Sequence, residues 1–288
     1  MVETAYRDSV ERWRAGRLER LTSPEGWLSV VGLWWLHEGS NTVGTSPGDD
    51  VVLPIAAAAP LAGRIVVAST RRDGDASAVV LHAEPQGGLR FRGEPFETLA
   101  LSEGQHGAPP TRVRVGSVSF HLIRREDQLA VRVRDRDAPA RRRFAGIDHY
   151  PVDERWRIRA RFEPVTEPRE VVVPAAAGPG ERYDVPGTAV FEAPNAPGSL
   201  HRLTAFLEDP DEDLFFVFGD ATNRGETYGG GRFLYTPRPD GDGFVDLDFN
   251  RAYNPPCVFT PHATCPLPLP ENRLGVRIEA GELAYTED

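Results

Sequence analysis

Apolar residues fall at helical spacing chiefly at the start of the chain. Over residues 3–21, Tyr6, Val10 and Trp13 share a face that Leu18 and Leu21 continue, and Glu3 with Arg7 and Asp8 with Arg12 form opposite charges four apart. That spacing predicts an amphipathic helix. Thr22-Ser23-Pro24-Glu25 follows, with a capping hydroxyl, a first-turn proline and an acid three places after the threonine; it predicts a second, short helical turn. From about Leu33 onward the pattern changes to short runs rich in valine, isoleucine, phenylalanine and arginine, broken by glycine, proline and aspartate. Such runs read as strands. They cover residues 64–69, 77–84, 112–115, 118–125 and 129–134 in the first half, and 156–165, 170–174, 203–207, 214–218, 232–236, 244–249 and 274–279 in the second.

One helix followed by many strands gives a mainly β fold class, built as sandwiches or barrels. The length of 288 residues allows one or two domains. A boundary is expected at residues 135–143, where Arg136, Arg141, Arg142 and Arg143 crowd a stretch that also holds Asp135, Asp137 and Pro139. The expected organisation is an N-terminal helix over residues 1–22, a β-sandwich over 23–136 and a second antiparallel β unit over 137–288. The arginine-rich connector reads first as a solvated segment paired with surplus acids, and second as an anion-binding patch.

Composition narrows the chemistry. The chain carries 33 basic and 43 acidic residues, a net charge of −10, which argues against a broad nucleic-acid surface or a polybasic membrane anchor. Every basic residue is arginine. Schiff-base, pyridoxal-phosphate and P-loop lysine chemistry are therefore excluded, and no cofactor is expected. Two cysteines are too few for a disulfide scaffold. The first residues carry acids and no long apolar stretch, and the most apolar windows, 27–36 and 51–63, are shorter than the roughly 18–20 residues of a membrane span. A soluble, cytoplasmic protein is the expectation.

In the first half, Gly39-Ser40-Asn41-Thr42-Val43-Gly44 leads to the acidic Asp49-Asp50 loop, and Gly116-Ser117-Val118-Ser119-Phe120 comes late. That order, over roughly residues 25–126, resembles a forkhead-associated (FHA) sandwich. A phosphothreonine site of that family needs an arginine after the strand glycine and a serine and histidine in the next loop, because those donors clamp the phosphate. Here Thr45 follows Gly44, so the sandwich is expected to be a scaffold. Gly44-Thr45-Ser46-Pro47-Gly48 also fits the G-x-S-x-G hydrolase pattern. Pro47 has no N–H to give an oxyanion, so the match fails on chemistry.

The specific motifs are C-terminal. They are Phe218-Gly219-Asp220-Ala221-Thr222, Glu226-Thr227-Tyr228-Gly229-Gly230-Gly231-Arg232, Asp248-Phe249-Asn250-Arg251-Ala252-Tyr253-Asn254-Pro255-Pro256-Cys257, Cys265-Pro266-Leu267-Pro268, Glu271-Asn272 and Ala280-Gly281-Glu282. Together they resemble the uncharacterised bacterial family known as domain of unknown function 1684 (DUF1684). The likeness extends more weakly to Gly26-Trp27-Leu28 and to Phe144, Gly146 and Ile147, and it implies no activity, substrate or catalytic residue.

The residues themselves suggest a polar pocket. Period two places Val245, Leu247 and Phe249 on one strand face and Asp246, Asp248 and Asn250 on the other. Carboxylates two apart on one face lie within about 7 Å and need compensation, for which Arg232 and Arg251 are candidates. Asp220 stands just past an all-apolar strand, as a turn cap or as a functional carboxylate on a rigidly held loop. Gly229, Gly230 and Gly231 before Arg232 form either a tight strand entry or a cradle of N–H groups beside a permanent charge.

The segment 255–270 has six prolines and the pattern Cys257-x4-His262-x2-Cys265. It reads as a stiff wall or lid over the site, and its thiols as packed groups, a redox pair or metal ligands. No metal is expected. The leading reading is a C-terminal pocket for a small, anionic or polar ligand, with Gly229, Gly230, Gly231, Arg232, Asn250, Arg251 and Asn254 binding it. If the pocket is catalytic, carboxylate-assisted hydrolysis is the least demanding mechanism, with Asp248 or Asp220 as base and Tyr228 as proton donor. The rival class is a non-catalytic interaction module on the FHA-like sandwich.

Overall fold

The computed structural model describes residues 2–54, 58–68, 79–104, 108–208 and 213–285. The Glu3 side chain, Ser69 and residues 77–78 of the expected strands, and residues 55–57 of the apolar window at 51–63, lie outside the described residues. The fold is mainly β with one long N-terminal helix, α1 (Val2–Thr22). Two compact units divide the chain: residues 20–144, and residues 1–19 together with 145–288. Most of α1 therefore belongs with the second half of the sequence. Among the described residues no helix is long and apolar enough to cross a membrane.

Among the described residues, the unit of residues 20–144 contains eleven strands. They are β1 (Val30–Trp35), β2 (Gly39–Gly44), β3 (Val51–Val52), β4 (Leu61–Val67), β5 (Val79–Ala83), β6 (Arg90–Phe91), β7 (Glu94–Pro95), β8 (Thr98–Leu101), β9 (Val113–Val115), β10 (Val118–Arg125) and β11 (Gln128–Asp135). One sheet runs β1-β11-β10-β9-β6-β7 and the other β3-β2-β4-β5-β8. Alternation drives their packing: Val118, Phe120 and Leu122 of β10 and Leu129, Val131 and Val133 of β11 share one core with Val43, Ile65 and Leu81 of the other sheet. The structure thus shows a sandwich, and the finer forkhead-associated assignment rests on the sequence resemblance alone.

Thr22-Ser23-Pro24-Glu25 does not open a helix. The Ser23 hydroxyl instead donates back to the Arg20 carbonyl at the end of α1, and a 3₁₀ turn forms later, at Trp27–Ser29. The arginine-rich connector contains a short helix, α2 (Pro139–Arg143), whose Arg141 donates twice to the Thr22 carbonyl.

In the other unit, β12 (Arg157–Pro164), β13 (Glu170–Val173), β14 (Glu181–Glu192), β15 (Leu200–Leu207), β16 (Leu214–Phe218), β17 (Arg232–Thr236) and β18 (Phe244–Asp248) build one antiparallel sheet. Its order is β17-β16-β15-β14-β12-β18, with β13 against β14. All five residues of β16 are buried, as an unbroken apolar run requires. The 12-residue β14 has no counterpart among the expected strands, because Pro186 and Gly187 look like a break. The strand continues through them by a register shift between Asp184 and Gly187, where a bulge tolerates the missing donor. Conversely, residues 274–279 form no strand. Their backbone groups pair with the Asp220 loop instead: Ala221 donates to the Val276 carbonyl, and Ile278 donates to the Asp220 carboxylate.

Candidate functional site

The sequence-predicted residues fall into four groups within the unit of residues 1–19 and 145–288. The first is interior. Arg232, the first residue of β17, is fully buried, and its Nη2 donates to Asp220 Oδ2 at 2.7 Å and to the Ile278 carbonyl at 2.9 Å, while Nη1 donates to the Ala280 carbonyl. Asp220 Oδ1 accepts from the Thr222 N–H and hydroxyl at 2.8 and 2.7 Å. This guanidinium holds the loop after β16 to the irregular segment at 278–280. It was expected to face a ligand; its zero exposure and three protein partners give it a structural place.

The second group gathers at the end of β18. Asp246 is exposed and paired with Arg157 at 2.7 Å. Asp248 is only partly exposed, and its compensation is Arg251, at 3.0 Å, rather than Arg232. Phe249 starts a 3₁₀ turn, Phe249–Arg251, so Asn250 leaves the strand alternation. The turn is fixed by Phe249, whose ring meets Trp156, Phe191 and Phe218 at centroid distances of 6.3, 5.5 and 5.4 Å. Asn250 is thereby fully buried; it accepts from the Asp153 N–H at 3.0 Å and donates to the Asp153 carbonyl and the Tyr6 hydroxyl at 2.9 Å each.

Tyr6 completes that network by donating to Asp248 Oδ1 at 2.7 Å. Burial, and then this bond to a carboxylate, pushes the Tyr6 phenol well above the usual tyrosine range, so it stays a donor. Of this network, Tyr6 and Asp153 border an open concavity of about 430 Å³, lined by Tyr6, Arg7, Val152, Asp153, Glu154 and Arg155. Asp153 and Arg155 pair with each other at 2.7 Å. They also line a neighbouring concavity of about 440 Å³ with Tyr150, Trp156, Asn195 and Glu279. Arg7 is exposed and has no ion pair among the described residues. Both volumes fall in the range of small-molecule sites.

In the third group, the glycine run closes a turn instead of presenting three open N–H groups: Gly231 donates to the Tyr228 carbonyl at 3.1 Å. Gly231 adopts φ +94°, and a β-carbon there would stand 2.5 Å from Pro268 and 2.6 Å from the Phe218 carbonyl. A β-carbon on Gly230 would come 2.4 Å from the Tyr228 ring. The glycines are thus needed for close approach. They seat Tyr228 with its hydroxyl 3.6 Å from Cys257 Sγ.

Asn254 forms the fourth group. Its N–H donates to Glu282 Oε2 at 2.7 Å and its amide to the Leu283 carbonyl at 2.7 Å. Glu282 is fully buried beneath Arg17, whose guanidinium lies 4.3 Å from the Tyr253 ring centroid.

Among the described residues, no hydrogen bond or ion pair joins any two of Asp220, Tyr228 and Asp248; each has its own partners. Sequence reasoning passed over Tyr6, Arg7, Asp153, Arg155, Arg17 and Glu282. Tyr6 was visible only as part of a helical apolar stripe, and its contact to Asp248 spans 242 positions; Glu282 was visible only in the Ala280-Gly281-Glu282 motif. Among the described residues, no three His, Cys, Asp or Glu side chains cluster in a way that could hold a metal.

The family model described as "Protein of unknown function (DUF1684)" matches residues 142–283. No curated protein matches the chain. Among solved structures, the solution NMR structure of the uncharacterized protein from gene locus rrnAC0354 of Haloarcula marismortui is 31% identical, with 50% of this chain and 80% of that chain covered and a TM-score of 0.42.

Proposed function

Since the chain belongs to the DUF1684 family through residues 142–283, whose description carries no activity, we propose from the site's own chemistry that this unit binds a small polar ligand bearing an anionic group. The ligand would occupy the concavity lined by Tyr6, Arg7 and residues 152–155. The observation that carries the reading is the joining of an accessible Arg7 guanidinium, without an ion pair among the described residues, to a floor that cannot shift easily. Tyr6 is locked by Asp248 and Asn250, and Asn250 in turn holds both backbone groups of Asp153. Such support from behind is what keeps a binding side chain in place. Arg7 is a forked, permanently charged donor suited to carboxylate or phosphate. Asn250 and Arg251, expected to touch the ligand, support it from behind in this reading, through Asp153 and Asp248.

Of the two carboxylates expected as a hydrolytic base, Asp248 is linked to this place through the Tyr6 hydroxyl, whereas Asp220 is committed to Arg232. Thermal-shift and calorimetric titration of the full-length protein with inorganic phosphate, a hexose phosphate and a dicarboxylate tests the reading. Binding by at least one of these should weaken about tenfold or more in Arg7→Ala, in line with the loss of a charge-assisted bond of about 1.5–3 kcal/mol. Binding indifferent to Arg7→Ala, or no binding by any of the three, refutes it.

A further inference from the structure

The proline-rich segment carries a second chemistry, independent of the concavity. Cys257 lies in a 3₁₀ turn, Pro256–Val258, and is partly exposed; Cys265 is 4% exposed. Between them Phe259, Thr260, Ala263 and Thr264 are buried, so the loop is packed along most of its length. Its far end is tied down as well: the Cys265 carbonyl accepts from Ala176 at 2.8 Å, and Leu267 donates to the Pro174 carbonyl at 2.7 Å. As a result the Cys257 N–H donates to Cys265 Sγ at 3.1 Å, and the two thiols are in hydrogen-bonding contact. Neither is in a disulfide. The Tyr228 hydroxyl, seated by Gly230 and Gly231, reaches Cys257 Sγ at 3.6 Å.

We propose that Cys257 and Cys265 form a reversible dithiol–disulfide centre oxidised by a hydroperoxide, with Cys257 as the attacking sulfur, Cys265 as the resolving sulfur and Tyr228 as a positioning hydrogen-bond donor to Cys257. The Cys257 thiolate attacks the outer oxygen of the hydroperoxide. The O–O bond breaks, and the departing oxygen takes a proton to leave as water or an alcohol, while Cys257 becomes a sulfenic acid. The Cys265 sulfur then attacks the Cys257 sulfur, the S–O bond breaks, and the hydroxyl leaves as water with the Cys265 proton. In sum two thiols lose two hydrogens as one S–S bond forms, and the hydroperoxide is reduced.

The division of labour follows from access: oxidant reaches the partly exposed sulfur, and the buried one is reached only from inside the protein. Hydrogen bonding from Cys265, and then from Tyr228, brings the Cys257 thiol down to about 7 against the opposing effect of burial. Tyr228 itself is pushed up to about 12, first by burial and then by its bond to Cys257, so it remains protonated as a donor.

The test treats the reduced full-length protein with hydrogen peroxide, then alkylates it and maps its peptides by mass spectrometry. The expected product is a Cys257–Cys265 disulfide reversed by dithiothreitol. Cys265→Ser should stop at a Cys257 sulfenic acid that dimedone traps, whereas Cys257→Ser should give neither product. Alkylation of Cys257 in Cys265→Ala, and in the wild type, reads the two contacts separately: the wild-type rate should rise with a midpoint near neutrality, and Tyr228→Phe should move that midpoint upward and slow alkylation severalfold at pH 7. Circular dichroism of each variant confirms that it is folded. The proposal is overturned if peroxide sufficient to oxidise glutathione yields no Cys257–Cys265 disulfide. A wild-type midpoint at the free-thiol value of about 8.5 would overturn Cys257 as the attacking thiolate, and one unmoved by Tyr228→Phe would remove Tyr228 from the centre.

Discussion

Replacing Arg232 with methionine removes a buried charge while keeping much of its volume, and so separates a structural role from a binding one. The change leaves Asp220 Oδ2 without its 2.7 Å donor and strips one donor each from the Ile278 and Ala280 carbonyls. Asp220 Oδ1 keeps the Thr222 N–H and hydroxyl and the Ile278 N–H, so the carboxylate is half satisfied and wholly uncompensated. Breaking one side of a buried pair costs about 3–5 kcal/mol. At about 2–4 °C per kcal/mol for a unit of this size, Tm should fall by about 6–20 °C. Urea unfolding of Arg232→Met, Asp220→Leu and the double variant closes a double-mutant cycle. The double variant should recover a large part of the loss, because neither charge is then left buried alone. A single-variant loss below about 1 kcal/mol, or losses that simply add, would refute the structural assignment and return Arg232 to the candidates for ligand contact.

Two further predictions concern stability. His121 in β10 is held down to about 3, first by burial and then by Arg134, Arg112 and Arg132, of which Arg112 shares Glu25 with Arg114. The unfolded chain therefore takes up this proton first: the contribution is full above pH 6.5 and is lost as pH falls from there toward 3, by up to about 5 kcal/mol. Denaturant midpoints across that window should fall less steeply in His121→Gln, and parallel profiles for the two proteins would refute the assignment. Tyr6→Phe should cost about 1.5–3 kcal/mol by removing a hydrogen bond to a carboxylate; urea unfolding that shows no change would mean Asp248 is satisfied without it.

The sequence pattern located much of the framework but little of the long-range chemistry. The bounds of β10, β16 and β17 were readable because each is an apolar or alternating run closed by turn residues. The longest strand, β14, was hidden by Pro186, whose missing donor the bulge accommodates. Residues 274–279 have strand composition, yet Asp220 and Arg232 take their backbone groups, an arrangement visible only once the chain has folded. At the site, Asp248 and Arg251 were legible as a carboxylate needing a neighbouring charge. Tyr6, Arg7 and residues 152–155 were not, because no local pattern announces that a helix near residue 6 will meet a turn near residue 250.

The most direct test of ligand binding at the concavity is an amide NMR titration of the full-length protein with whichever of phosphate, hexose phosphate or dicarboxylate binds most tightly. Saturable shifts should concentrate at Tyr6, Arg7 and residues 153–155 and vanish in Arg7→Ala. Saturable shifts that instead centre on residues 228–232 and leave residues 6, 7 and 153–155 unmoved would contradict the account.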